Sequence, residues 1–249
     1  MLVNNIKINA DDFGLKQSVN KAVIEAFDKE YINSTTLMAN MPAFDDAIYL
    51  IHEHDLISKT GVHLVLTEGT PLTDKIKSVD FLFNGKVKLK DHLLKSYFSL
   101  NKIQEELIFN EFCTQIKRIQ LKGINITHID THHHVHEFYC ILKIIMKVKK
   151  LYNIPFIRIL NNTEDSTRAY KQYYRWLINT YIKINKANFS DIFGNQTDLL
   201  LRFKKKPIFN DKEKIEIMVH PDYDNEGKLI DKVGKETFHL DIFQLINDF

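Results

Sequence analysis

Short segments that alternate apolar and polar residues recur along the chain, and segments with helical periodicity separate them. Residues 6–9 alternate isoleucine with lysine and asparagine before a polar turn, which is typical of a strand. The first part of the chain predicts a strand over 6–9, a helix over 19–27, a β-prone segment over 34–41, a helix over 43–54 and a strand over 60–67. Strands and helices that alternate from the start of a chain indicate a parallel sheet or barrel.

Residues 68–100 are less regular, and we predict a long loop or a small subelement there. Beyond them, the pattern predicts helices over 102–121, 141–148 and 167–186, strands over 124–130, 156–160, 198–203 and 214–219, and a short amphipathic helix over 240–249. No internal repeat and no linker composition interrupts this series. We therefore predict one domain that spans residues 1–249.

Composition and charge exclude several classes of protein. With 249 residues and 44% hydrophobic residues the chain can bury a sizeable core, which excludes a disordered protein. Eight glycines and five prolines exclude fibrous and low-complexity classes. The 34 basic and 32 acidic residues leave a net charge of only +2, so we expect no nucleic-acid partner. No apolar run approaches the roughly 18 residues that a membrane helix needs, so no membrane association is expected.

The two cysteines and the N-terminal residues indicate the cellular compartment of the protein. Cys113 and Cys140 are far apart and have no CxxC spacing, so we expect buried thiols in a reducing environment and no cysteine-based zinc site. The first nine residues lack the apolar core of a signal peptide. Together these features predict a soluble, cytoplasmic protein.

Polar residues follow the ends of four predicted strands, which is where an α/β barrel places its active site. The four clusters are Asp11 with Asp12, His63, the segment from Asp130 to His136, and His220 with Asp222. Because the loops that follow parallel strands converge on one rim, we expect these clusters to lie close together.

The histidine-rich segment carries the most specific signal for metal chemistry. It contains His128, His132, His133, His134 and His136, and it is internal and interrupted, unlike an expression tag. Imidazole is a ligand for Zn, Ni, Fe and Cu, and Asp130 could accept the free N–H of such a ligand. The buried imidazole expected at His63 also needs a partner, which a metal would supply. No HExxH motif occurs, which excludes that class of zinc protease.

The remaining clusters supply candidates for proton transfer. Adjacent carboxylates at a strand end diverge, so one of Asp11 and Asp12 can hold a metal while the other acts as general base. His220, between a strand and Pro221, could act as general acid. Arg158 lies between Ile157 and Ile159, where an unpaired charge would be costly, and we expect an Asp11–Asp12 carboxylate as its partner.

These motifs and their order resemble those of the YdjC-like carbohydrate deacetylases. Much of that family is similar to chitooligosaccharide deacetylases. The motifs that carry the resemblance are NADDFG at 9–14, STT at 34–36, GVHLVL at 61–66 followed by TEG, HIDTHHHVH at 128–136 and VHP at 219–221. They span nearly the whole chain. The resemblance implies an α/β fold, a single-domain irregular (β/α) barrel related to the polysaccharide deacetylases.

The resemblance also implies a role for each matching residue. Asp12, His63 and His132 would hold a divalent metal. Asp11 would be the general base, His220 the general acid, and Arg158 the residue that orients the base. Thr131 stands where serine is frequent, and the acidic Asp-Tyr-Asp after His220-Pro221 departs from the family pattern and leaves the preferred sugar open.

We therefore expect a metal-dependent hydrolase that removes acetyl groups from N-acetylated mono- or oligosaccharides and releases acetate. The metal, expected to be Mg or Zn, is not determined by a His2Asp ligand set, which also suits Co, Ni, Fe and Mn. A homodimer is a further expectation. The alternatives are an amidohydrolase or phosphoesterase on another substrate, and a module that binds metal or sugar without turnover. The roles of His134 and His136 stay open.

Overall fold

Seven parallel strands form the main sheet of the computed structural model, which describes residues 5–96, 99–163, 169–185, 187–205, 212–233 and 238. The strands are β1 (Ile6–Phe13), β2 (Ser34–Leu37), β3 (Thr60–Leu64), β4 (His128–Thr131), β5 (Phe156–Ile157), β6 (Ile192–Asn195) and β7 (Ile215–Val219). They are ordered β5-β4-β3-β2-β1-β7-β6. All six pairings within this sheet are parallel.

The sheet curls until its two edge strands approach each other. The backbone N–H of Ile157, in β5, donates to the carbonyl of Asn188, four residues before β6, at 3.0 Å. Asn162 donates in the same way to Phe193 of β6 at 3.2 Å. The contact between the edges is irregular and does not make a full ladder. The result is an incomplete α/β barrel, which confirms the predicted fold class.

Helices cover the outside of this barrel. They are α1 (Gln17–Asp28), α2 (Phe44–Glu53), α3 (Lys86–Lys95), α4 (Lys102–Gln120), α5 (Tyr139–Leu151), α6 (Ala169–Ile184) and α7 (Gln196–Lys205). Short 3₁₀ helices occupy Ile57–Lys59, Lys75–Ser78 and His132–Glu137, and β8 (Pro221–Tyr223) pairs antiparallel with β9 (Leu229–Asp231). Among the described residues, no helix is both long and apolar enough to cross a bilayer.

The two faces of the curled sheet have different chemistry. Along β1, Ile6, Ile8 and Ala10 belong to the apolar core, which forms between the sheet and its helices. Side chains alternate along a strand, so Asn9 and Asp11 share the opposite face. The Asn9 side chain meets the ring of His128, on a strand three places away in the sheet, at 2.8 Å. That face is therefore the inside of the barrel, and it is polar.

Residues on adjacent strands are set side by side by the parallel register. His63 of β3 lies opposite Asp130 of β4. Gly61 permits close packing two residues earlier, because a Cβ atom there would lie 2.5 Å from Nδ1 of His128. The lack of a side chain at Gly61 thus allows the His128 ring to occupy the barrel interior.

Most predicted elements are present, and one is wrong. Residues 198–203 were expected to form a strand, but they belong to α7, which Asn195 helps to begin by accepting the Asp198 N–H at 2.8 Å. Leucine favours helices. In a strand Leu199 and Leu201 would share one face, but Leu199 and Leu200 are buried while Leu201 is exposed, which fits a helix.

Other differences concern extent. The irregular region 68–100 contains α3 and a 3₁₀ turn, the strand predicted over 156–160 is only two residues long, and β6 was not predicted. The helix expected over 240–249 lies outside the described residues. The assignment of residues 1–249 to one domain stays a prediction.

Candidate active site

The side chains predicted for the site meet at the carboxyl ends of the barrel strands. Asp11 and Asp12 lie on β1, His63 on β3, His132 directly after β4 and His220 directly after β7. Asp12, His63 and His132 each offer one ligand atom, and these atoms lie within 4.8 Å of one another. The structure therefore brings the three expected metal ligands together.

Adjacent aspartates take different directions because the backbone changes conformation between them. Asp12 has a φ of 67°, in the left-handed region, and the pairing of β1 with β2 shifts register between Ala10 and Phe13. A bulge of this kind re-aims side chains. Asp11 consequently points to Arg158 inside the barrel, whereas Asp12 lies at 3.3 Å from His63 and 2.9 Å from His132.

The ring of His63 is oriented by a second carboxylate. Its Nδ1 lies 2.7 Å from Oδ1 of Asp130, and its Nε2 faces Asp12. A proton on Nδ1 leaves the Nε2 lone pair available to a metal, and this is the contact expected of Asp130 from the sequence. Burial would lower the pKa of His63, but the neighbouring carboxylates, first Asp130, raise it to about 10.

His132 lies between two carboxylates. Nδ1 is 2.9 Å from Asp12, while the buried Nε2 contacts Glu68 without forming a hydrogen bond of good geometry. Burial opposes protonation of the ring, yet Asp12 and Glu68 together raise its pKa. For Asp12 itself, burial would raise the pKa, but the two histidines hold it well below its ordinary value.

Arg158 is fully buried and binds three carboxylates. Its guanidinium donates two hydrogen bonds to Asp11, at 2.6 and 2.7 Å, and contacts Asp130 at 2.7 Å and Glu216 at 2.6 Å. The expected pairing with the Asp11–Asp12 unit is thus confirmed for Asp11. Burial favours the neutral form of Asp11, but the charge and hydrogen bonds of Arg158 lower its pKa below the ordinary value.

His220 faces Asp11 from the end of the neighbouring strand β7. Its Nε2 lies 3.9 Å from Oδ2 of Asp11, and its Nδ1 lies 3.8 Å from Asp231, which also accepts the backbone N–H of His220 at 3.0 Å. Burial would lower the pKa of His220, but Asp231 and Asp11 raise it. Asp222, grouped with His220 in the sequence, binds Lys16 and Lys232 instead and does not join the site.

The other histidines of the His-rich segment are not assembled around the same point. His133 contacts Thr67 at 2.9 Å, and burial lowers its pKa to about 4. His136 bonds to Thr131 at 2.6 Å, and burial lowers its pKa to about 3. The ring of His134 packs against those of His136 and Phe193, and its pKa is also lowered by burial. His134 is half-buried and His136 is buried in the loop that follows His132, whereas His133 is exposed and offers a ligand atom within 4.8 Å of those of His132 and Glu68.

The donors present fit a divalent cation. One carboxylate and two imidazoles converge, which is a ligand set that divalent metals use in proteins. Charge supports the same conclusion when the imidazoles are neutral, as metal ligands must be, since the single guanidinium of Arg158 then faces three buried carboxylates and Asp12 adds a fourth. A divalent cation would offset this excess negative charge.

Two residues of the site were missed by sequence reasoning. Glu68 follows β3 and reaches His132, and Asp231 lies on β9 and reaches His220. The position of Glu68 just after a strand, within the TEG motif, was a signal that could have identified it. Asp231 offered no such signal, because only the pairing of β9 with β8 brings it under His220.

Comparison with known proteins supports a family assignment. The family model described as YdjC-like protein matches residues 5–243. The chain is 33% identical over 232 residues to a carbohydrate deacetylase of Brevibacillus brevis, an alignment that covers 89% of this chain and 83% of that protein. It is 36% identical over 152 residues to a carbohydrate deacetylase of Clostridium beijerinckii, covering 61% of this chain and 59% of that one.

The fold also resembles that of a solved structure. It is the crystal structure of a protein from Enterococcus faecalis V583 that carries a provisional description as a cellobiose-phosphate cleavage protein. The TM-score is 0.70 at 20% identity, and the match covers 98% of this chain and 94% of the other. At this identity the likeness concerns the fold alone.

Replacement of Arg158 by methionine tests the central ion cluster. Arg158→Met leaves Asp11, Asp130 and Glu216 buried without their cation, so we expect a loss of about 3–5 kcal/mol in the free energy of unfolding at neutral pH. Because Arg158 lowers the native pKa of Asp11, this pair stabilises the protein above the unfolded-state value of about 3.9 and less as the pH falls below it. The deficit of the variant should therefore be largest above pH 4 and shrink as the pH is lowered from 4 towards 2.

Urea denaturation of metal-free protein across this pH range provides the measurement. Arg118→Met is the control, since Arg118 is only partly buried and lies 3.8 Å from an exposed Asp45. Methionine can keep an apolar contact with the Phe44 ring, so this variant should cost about 1 kcal/mol or less. An equal loss in both variants, or a deficit for Arg158→Met that does not change with pH, would contradict the assignment.

Proposed function

This chain belongs to the YdjC-like family, and on that premise we propose that it is a metal-dependent carbohydrate deacetylase. It would hydrolyse the acetyl amide of an N-acetylated mono- or oligosaccharide and release acetate and the free amine. The observation that carries the proposal is the convergence of Asp12, His63 and His132 beside an oriented carboxylate, Asp11, and an imidazole, His220.

Asp12, His63 and His132 would hold the divalent cation, with Asp130 fixing the tautomer of His63. Such an ion, when bound, supplies Lewis-acid polarisation of a carbonyl oxygen and acidifies water. The ligand set of two imidazoles and one carboxylate suits Zn, and Mg with more water ligands is the other candidate. Reconstitution with each metal decides between them.

Asp11 would accept the proton of the attacking water. Its lowered pKa keeps it ionised at neutral pH. Three hydrogen bonds hold its two oxygens in place: Arg158 donates one to each oxygen, and Asn9 donates a third to Oδ1. A fixed carboxylate costs no reorganisation when the proton is transferred. Arg158 thus acts as a positioning residue for the base.

His220 would donate a proton to the departing amine nitrogen. An amine leaves poorly unless it is protonated, and the raised pKa of His220 favours the protonated ring. Asp231 lies on the Nδ1 side of the ring, so that Nε2 is directed towards Asp11 and the reaction centre. The proposed base and the proposed acid therefore lie side by side, 3.9 Å apart, so that both could reach one amide bound next to them.

The alternatives are less well supported. A phosphoesterase needs cations that face its substrate, but Arg158 is occupied by three carboxylates inside the barrel. A module that only binds metal has no need of an ionised carboxylate and an opposed imidazole next to its ligands. The site geometry therefore favours hydrolysis of an amide.

We also propose a cytoplasmic location. Cys113 and Cys140 are free and buried, as expected in a reducing compartment. The homodimer expected from the resemblance stays a prediction.

Acetate release is the direct test of the proposed reaction. The protein should release acetate from N-acetylglucosamine or its oligomers, lose this activity when treated with a chelator, and regain it with Zn or Mg. His63→Ala and His132→Ala should lose metal affinity by at least the roughly 10–100-fold seen for outer-shell losses, whereas the exposed His54→Ala should not. Full metal content in both site variants would overturn the ligand assignment, and acetate release that survives complete metal removal would overturn the metal dependence.

The two adjacent aspartates should behave differently. Asp11→Asn should keep the metal and lose turnover, because asparagine cannot accept the proton from water. Asp12→Asn should lose the metal first. Metal analysis and acetate release are measured on the same preparations, with exposed Asp91→Asn as control. Loss of metal from the Asp11 variant alone would reverse the two roles.

His220→Ala should discriminate between leaving groups. On an N-acetyl sugar we expect kcat to fall by about 10²–10⁴-fold, the usual contribution of a positioned acid. An activated acetate ester needs no such proton, so the same variant should lose much less on the ester, while Asp11→Asn loses activity on both. Equal damage to amide and ester hydrolysis would rule out the acid role.

A further inference from the structure

A cavity lies at the opposite end of the barrel from the candidate active site. It has a volume of about 720 Å³, and residues at or just before the start of each of the seven main strands line it. Lys7 of β1 and Ser190, two residues before β6, are examples. The predicted catalytic residues lie at the other ends of these strands, so the two sites do not overlap.

The charged residues that line this cavity are all basic. Lys7, Lys59 and Lys214 contribute to its wall, and no aspartate or glutamate does. The ammonium groups of Lys7 and Lys214 both lie near one ring, at 5.2 and 5.7 Å from the centre of Phe156. Within the described part of the chain, none of the three lysines has a carboxylate oxygen within 4 Å of its ammonium nitrogen.

Lys7 is the lysine of this cavity that lies deepest in the barrel. It shares the inner face of β1 with Asn9 and Asp11, so its stem lies within the base of the barrel. Burial lowers its pKa against the attraction of Glu216, and the positive charge of Arg158 lowers it further. Glu216 lies opposite Lys7 in the sheet but is bound by Arg158, and no carboxylate oxygen of the described residues lies within 4 Å of the Lys7 ammonium. A cation that is partly removed from water without a direct ion pair is unfavourable, and nearby Lys214 adds repulsion.

We propose that this cavity binds a small phosphate-bearing anion, such as a phosphate monoester of metabolite size. The volume is in the range of ordinary small-molecule sites. Lysine is a common phosphate ligand that acts as a point charge, and three lysines around one cavity are enough to offset the two negative charges of a phosphate monoester. Asn125 and Asn153 add amide groups at the wall, which can donate hydrogen bonds to phosphate oxygens.

Calorimetry on the full chain tests this site. The protein is first treated with a chelator, because phosphate could otherwise bind a metal at the other end of the barrel. It is then titrated with inorganic phosphate, glucose 6-phosphate and, as the uncharged probe, glucose, all at one ionic strength. We expect one phosphate or sugar phosphate per chain and no binding of glucose.

The variants identify the lysines responsible. Lys7→Met with Lys214→Met should weaken phosphate binding about tenfold or more, as expected for the loss of charge-assisted contacts. Lys21→Met, an exposed lysine on α1, should leave the affinity unchanged. Unchanged affinity in the double variant, or no binding of either phosphate probe at millimolar concentration, would overturn the proposal.

Thermal melting gives an independent readout and checks folding. Phosphate should raise the Tm of the wild type and of Lys21→Met, since a ligand that binds only the native state stabilises it. The double variant should show little shift. If the double variant fails to fold, the exposed Lys59→Met and Lys214→Met single variants replace it, and each should reduce the phosphate-dependent shift. Equal shifts in these variants and the wild type would overturn the proposal.

Discussion

The buried guanidinium of Arg158 is the interaction on which the barrel interior depends. It follows the short edge strand β5 and reaches carboxylates on β1, β4 and β7, so one side chain connects strands from across the curled sheet. Hydrogen bonds between the edges β5 and β6 are few, and the arginine supplies the cross-barrel contact that the incomplete ladder lacks. Three buried carboxylates would be too costly without it.

The same cluster organises the candidate site above it. Arg158 holds Asp11, the proposed base, and Asp130, which in turn holds the ring of His63. The position of a metal ligand and that of the base therefore share one anchor. Arg158 carries one positive charge for three carboxylates, and Asp12 and the histidines lie at the rim next to this cluster. Structure and electrostatics thus favour a cation at that rim and a proton-accepting carboxylate beside it.

Local backbone conformation decides which of several similar residues takes each role. Asp12 in the left-handed region turns away from Asp11, and His133 and His134 in the same region turn the His-rich loop so that neighbouring rings face different surroundings. His132 consequently meets Asp12, whereas His136 packs beneath it against Thr131. Polar side chains that are adjacent in sequence differ in pKa because their burial and partners differ.

Strand and helix alternation, the barrel class and the convergence of the four strand-end clusters could be predicted from the sequence, because periodicity and the geometry of parallel strands are local rules that one chain displays. Asp12, His63 and His132 were identified in this way with the help of the family motifs, and the structure brings them together. The contact of Glu68 with His132 and the position of Asp231 beside His220 depend on pairings between residues far apart in the chain. Only the tertiary structure decides them, since a side chain acquires its partners and its pKa from the burial and charges that folding brings around it.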